Sequence, residues 1–148
     1  MGSTSHLEIN HSRMLLARPE KVFKAFRDQN LLKKWWGPKG FTNTFHEFNF
    51  TEGGLWKYTM HGPNGMDFEN QSKFVKITPP NERLLIRHLE PDHVFTLEIT
   101  MKIADEGYTR IGWSMVFETI EDYNEAKPFV KEANEQNLDR LENLISSM

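Results

Sequence analysis

The sequence predicts an α+β fold in which a curved antiparallel sheet wraps around a long C-terminal helix. Three observations carry that expectation. Beyond residue 40 the apolar period changes from helical to two and holds through six short segments. The connectors between those segments are too short for crossover helices, so neighbouring strands must run antiparallel. From Asn124 onward the helical period returns, over about the last 25 residues.

Taken in order, "LEINHSRMLLA" (7–17) ends in an apolar run and reads as a first strand. Arg18-Pro19 opens a helix, because proline at the first helical position loses no hydrogen bond and has φ already set. Val22, Phe23 and Phe26 recur there at helical spacing and face the core. "NLLKKWW" forms a second short helix, with Leu31 beneath Trp35, Leu32 beneath Trp36, and Lys33 and Lys34 on the other side. The two tryptophans thus make one apolar wedge. Gly37 supplies the left-handed conformation that closes a helix, and Pro38 forbids its continuation.

Strand candidates follow at 41–50, 55–61, 66–77, 83–89, 95–103 and 109–117, separated by the turn signals "TEGG", "GPNG", "PPNE", "EPDH" and "ADEG". The final helix carries Phe129, Val130, Ala133, Leu138, Leu141, Leu144 and Ile145 as its apolar stripe. Thr119 with Asp122, or Asn124 itself, caps it. The expected order is β-α-α-β6-α in a single domain over 7–148, with 1–6 as a flexible lead-in.

Composition removes several function classes. The chain of 148 residues carries 18 Lys plus Arg against 21 Asp plus Glu, both signs scattered, so it has no electrostatic footprint for nucleic acid. Apolar runs such as 14–17 fall far short of the ~20 residues that span a bilayer, and "MGSTSHLE" lacks a secretory h-region. A cytoplasmic protein without integral membrane association is expected. The absence of cysteine excludes disulfides, thiolate catalysis and Cys-based metal sites.

Three strands alternate cleanly and give the sheet one aromatic- and methionine-rich face. Trp56, Tyr58 and Met60 share it, as do Phe95, Leu97, Ile99 and Met101, and Ile111, Trp113, Met115 and Phe117. Either these residues pack simply as core, or the inner face, with Phe68 and Phe74 added, is too wide for one helix to fill. A dry pocket of ~300 Å³, the low end for ligand sites, would cost on the order of 7 kcal/mol. That rivals a domain's whole stability of roughly 5–15 kcal/mol. Bulky side chains, water or a ligand must therefore occupy the space.

Five segments together resemble the helix-grip superfamily of START domains, birch-pollen allergens and polyketide cyclases. The branch they resemble most is the activators of the ninety-kilodalton heat-shock protein ATPase, in single-domain form. The segments are "ARPEKVFKAFRDQNLLKKWWGPKGFT" (17–42), "GGLWKYTMHGPNGMDFEN" (53–70), "PPNERLLIRH" (79–88), "TRIGWSMVF" (109–117) and "KPFVKEANEQNLDRLENLI" (127–145). The tryptophan pair with Gly-Pro and the Trp-x-Tyr-x-Met-His-Gly-Pro-x-Gly stretch are the more specific motifs. The resemblance implies a deep cavity between sheet and long helix that binds small apolar molecules or lipids. It does not by itself transfer the co-chaperone function, because a shared fold defines a scaffold.

The expected ligand cavity is lined by Trp35, Trp36, Trp56, Tyr58, Met60, Phe68 and Asn70. Phe74, Phe95, Leu97, Trp113, Met115 and Phe129 complete it. One ring of the tryptophan pair seals the cavity and the other anchors the helix; spacing does not say which. Asn70 and Ser72 either orient a ligand or, if that strand bulges, face solvent. Arg13 and Arg87 either pair with an anionic head or form surface salt bridges. The six histidines show no metal-ligand spacing, His88 and His93 flank a turn, and His46 and Glu47 project to opposite faces of a strand, so no metal or cofactor is expected. The functional expectation is binding of a small apolar or amphipathic molecule. The alternatives are a chaperone-interaction module and a cyclase- or hydrolase-type enzyme using Tyr58, His61 and Glu69. Oligomeric state is not legible.

Overall fold

The computed structural model describes residues 7–78, 83–90 and 94–148, without the side chains of Glu90 and Glu106. The predicted turn at 79–82, most of the "EPDH" turn, His6, His93 and the lead-in at 1–6 lie outside the described residues. Strand β1 (Glu8–Leu15) leads into helices α1 (Pro19–Arg27) and α2 (Gln29–Trp35). Strands β2 (Thr42–Phe48), β3 (Leu55–His61), β4 (Asp67–Thr78), β5 (Arg83–Glu90), β6 (Phe95–Ile103) and β7 (Thr109–Phe117) follow, and α3 (Ile120–Ser147) closes the chain. All seven strands form one antiparallel sheet in the order β1-β7-β6-β5-β4-β3-β2. The expected fold is therefore the observed one.

Local chemistry sets the joints. Pro19 occupies the first turn of α1 after an extended Arg18. Asp28 both ends α1, donating its backbone N–H to the Lys24 carbonyl, and caps α2, its side chain accepting from Asn30 N at 2.9 Å. The long helix starts at Ile120, earlier than the expected Asn124. Of the three predicted capping residues Thr119 is used, accepting from Asp122 N at 3.1 Å. Pro128 lies within α3, and the helix continues through it.

Two local expectations are corrected. Trp36 is not part of α2; it is the helix C-cap, extended at φ −67 and ψ 133, while Trp35 stays in the helix beside Leu32. The two rings still pack edge to face, with centroids 5.6 Å apart. Gly37 follows with φ +99, a conformation that favours glycine; a Cβ there would come within 2.7 Å of Met60 Cε, the flexible end of a side chain. His46 and Glu47 do not project to opposite faces. The β2–β3 register shifts between Phe45 and Glu47, and this bulge turns both side chains outward, His46 to Thr59 at 2.7 Å and Glu47 to Lys57 at 3.9 Å.

The core lies between the sheet's concave face and the helices. Its β2–β4 end is aromatic: Trp56 has Phe45, Phe48, Tyr58 and Phe74 within 4.4–6.0 Å, centroid to centroid. Phe50 bridges Phe74 at 4.9 Å to Phe23 of α1 at 5.7 Å. At the other end Leu138, Leu141 and Ile145 of α3 are buried with Ile9, Leu15 and Ile111.

Candidate functional site

Between these packed regions, the sheet and the N-terminal half of α3 flank an open cavity of two adjoining lobes. The outer lobe, about 330 Å³, is walled by Pro38, Phe41, Met60, Phe68, Phe117, Ala126 and Val130. The inner lobe, about 280 Å³, reaches Trp36, Gly37, Tyr58, Leu97, Trp113, Ala133, Asn134 and Asn137. Asn70, His88, Phe95 and Met115 border both, as do Pro38, Met60 and Val130. Phe41 and Phe68, ring centroids 6.1 Å apart, stand at the outer end, where Phe68 is 39 % exposed.

Nine of the thirteen sequence-derived cavity residues line these lobes: Trp36, Tyr58, Met60, Phe68, Asn70, Phe95, Leu97, Trp113 and Met115. Four lie elsewhere. Trp56 and Phe74 are completely buried in the aromatic end. Trp35 is buried too, against Phe26 at 4.9 Å, and its Nε1 donates to the Ala25 carbonyl at 3.0 Å. It is the anchor of the pair, and Trp36 is the cavity wall. Phe129 is 74 % exposed. The lining residues of α3 are Ala126, Val130, Ala133, Asn134 and Asn137, and Phe129, one position before Val130, is turned by about 100° from it.

The wall carrying Trp36 is held by polar side chains of α3. Arg140 donates through Nη1 to the carbonyls of Trp36, Gly37 and Pro38, and through Nη2 to those of Lys34 and Phe41, at 2.9–3.3 Å. Its partners are carbonyls, so burial lowers its pKa from the ordinary value. Asn137 adds a bond to the Trp35 carbonyl at 2.9 Å and accepts from Gly37 N at 3.3 Å, and Gln136 accepts from Lys39 N at 3.1 Å.

Inside, the polar groups are few. Trp36 Nε1 donates to the Tyr58 hydroxyl at 3.1 Å. Burial pushes the Tyr58 pKa up to about 12, with Trp36 and Ser72 opposing the shift, so this phenol is protonated at neutral pH. Ser72 Oγ lies 3.5 Å from His88 Nδ1, and the His88 ring stacks on Phe95 at 4.8 Å. Asn70 donates to the Phe68 carbonyl at 2.9 Å, and Asn134 to Met115 Sδ at 3.2 Å. Trp113 is 3 % exposed and its Nε1 has no partner. An unpaired buried donor costs on the order of 1–3 kcal/mol. Among the described residues no Asp, Glu, Lys or Arg borders either lobe.

Several sequence readings resolve here. Asn70 borders the cavity and Ser72 is buried, even though β4 does bulge between Gln71 and Ser72. Arg87 pairs with Glu118 at 2.7 Å, and Arg13 pairs with Glu135 at 2.8 Å and Asp139 at 2.6 Å, tying β1 to α3. Neither arginine borders the cavity. Tyr58, His61 and Glu69 do not converge: His61 sits between Thr44 and Asp67, both at 2.8 Å, and Glu69 accepts from Thr59 at 3.1 Å, whereas Tyr58 faces inward. Among the described residues no three His, Asp or Glu side chains are grouped to hold a metal ion.

Sequence reasoning missed His88, Asn134 and Asn137. His88 shares strand parity with the buried Leu84 and Ile86, which was the available signal. Asn134 and Asn137 fall at helical spacing before the buried Leu138 and Leu141, as polar interruptions of an apolar stripe.

A concave sheet gripping one long helix over an internal cavity defines the helix-grip class. Residues 16–146 match the family described as Activator of Hsp90 ATPase homolog 1-like protein, and the chain belongs to that family. Among solved structures, a protein from Arthrobacter aurescens is similar with a TM-score of 0.89 at 22% identity, covering 100% of this chain and 91% of that one. One from Nitrosomonas europaea gives 0.86 at 21%, covering 99% of each. Another from Chromobacterium violaceum gives 0.79 at 25%, covering 93% and 96%. No functionally curated protein matches the chain. Among the described residues no helix is long and apolar enough to cross a membrane.

Proposed function

We propose that this protein binds a small apolar or amphipathic molecule, in the cytoplasm, through the cavity between β3–β7 and α3. The observation that carries the proposal is an open, largely apolar cleft of about 330 Å³ beside α3, in a chain with the means to fill it. The helix covers it with Ala126, Val130 and Ala133, while Phe129 is turned to solvent. Apolar walls with a few placed polar groups are the usual make-up of a ligand pocket.

The test is native mass spectrometry of the freshly purified protein beside its denatured mass, followed by titration with Nile red. A discrete excess mass that vanishes on denaturation, or saturable dye binding blocked by Val130→Phe, is the expected result. Neither signal, with an Hsp90 ATPase rate raised equally by the native and Val130→Phe proteins, would replace ligand binding by a co-chaperone function on another surface.

A further inference from the structure

We propose that the cavity selects an uncharged molecule bearing a hydrogen-bond acceptor, a carbonyl above all, that docks on Trp113 Nε1. The inference rests on the ligand-binding reading above and specifies its ligand class.

Two independent features point the same way. The first concerns charge. An ionised ligand entering these lobes would leave water for a lining without Asp, Glu, Lys or Arg among the described residues, because Arg13 and Arg87 are paired with carboxylates and Arg140 with the backbone carbonyls of residues 34–41. Burying an unanswered charge is strongly disfavoured, so fatty acids, phospholipid headgroups and amines are poor candidates.

The second concerns the unused donor. Among the described residues, His11 Nε2, Asn43 Oδ1, Trp56 Nε1 and Trp113 Nε1 are buried without hydrogen-bond partners. Of these residues Trp113 alone borders the cavity. The other polar lining side chains are already engaged: Trp36 with Tyr58, Asn70 with Phe68, His88 with Ser72, Asn134 with Met115, and Asn137 with Trp35 and Gly37. An indole N–H is a donor only, so its complement must be an acceptor. Trp113 lies on the inner lobe, between the rings of Trp35 at 6.2 Å and Trp36 at 5.7 Å, and the outer lobe takes the apolar remainder of the molecule. Trp56 supplies an internal control. Its N–H is equally unpaired, but its ring is sealed within the aromatic end, 5.8 Å from a parallel Phe74.

The experiment compares three probes of related shape: benzophenone, diphenylmethane, which lacks the carbonyl, and the anion 4-benzoylbenzoate. With the native protein, benzophenone should bind about 3- to 10-fold more tightly than diphenylmethane, the worth of one net hydrogen bond. The anion should bind at least about 10-fold more weakly than benzophenone. Trp113→Phe should bring the two neutral probes together, and Trp56→Phe should leave their difference intact. As a readout that does not depend on the folding of Trp113→Phe, the ¹H–¹⁵N resonance of the Trp113 indole is followed in the native protein. It should move downfield with benzophenone and not with diphenylmethane. Equal binding of the two neutral probes, or tighter binding of the anion, overturns the inference and leaves cavity binding standing. Failure of all three probes overturns both.

Discussion

At the β2–β4 end of the inner face, Trp56 and Phe74 stack nearly parallel and are fully buried, with Phe48, Phe50 and Phe23 filling the space around them. Along the same strands β3 and β4, a few residues on, Met60 and Phe68 border a void and Phe68 is 39 % exposed. The two ends draw on the same residue types and the same alternation. They differ in what covers them. The first is met by α1 and the aromatic 45–50 segment, the second by a helix presenting Ala126, Val130 and Ala133. An aromatic strand face is therefore not by itself a core or a pocket; the residues opposite decide.

That contrast is sharpest for paired truncations. Phe74→Ala should cost about 3–5 kcal/mol by urea unfolding, the range for deleting a fully packed ring. Phe68→Ala, at the cavity rim, should cost under about 1 kcal/mol and instead change probe affinity. Equal costs at both positions would break the distinction between the ends.

Tyr58 stands where the ends meet, stacked on Trp56 at 4.4 Å while bordering the inner lobe. Burial raises its pKa from 10.0 to about 12, so the folded state holds this proton more tightly than the unfolded chain does. The resulting stability is complete below pH 10 and is lost as pH rises toward 12. At 1.36 kcal/mol per unit this amounts to about 2–3 kcal/mol. Tyr58→Phe should flatten that part of the stability curve, measured by urea midpoints from pH 9 to 12. An unchanged alkaline fall would place the titrating group elsewhere.

The smallest expected effect comes from making the open end resemble the packed one. Val130→Phe should raise stability by about 1 kcal/mol, the ordinary gain from filling a void, and abolish Nile red binding. A gain in stability with binding intact would mean that the ligand does not lie against Val130.

Most of the architecture was legible because alternation and helical spacing are local signals. Pro19, Gly37 and Thr119 mark helix boundaries through their own chemistry, and strands such as 55–61 could be delimited from side-chain alternation. The cavity was legible only in part. Trp56 and Trp113 alternate in the same way along their strands, and nothing in either strand says that Phe74 and Phe45 close over the first while Asn134 and Ala133 leave room beside the second. The bulge at 45–47 and the extended Trp36 were hidden for a related reason. Each follows from pairing with residues distant in sequence, not from the residue's own propensity.

The Arg140 clamp sets an order of events in folding. Its carbonyl partners lie 99–106 residues earlier in the chain, so the 34–41 wall closes a loop of about a hundred residues. Contacts of such separation bear the full loop-closure entropy and tend to form late. A nascent chain can complete α1, α2 and much of the sheet while the wall bearing Trp36 is still unset. Assembly of the pocket and docking of the C-terminal helix are thus a single step, and ligand capture must wait for both.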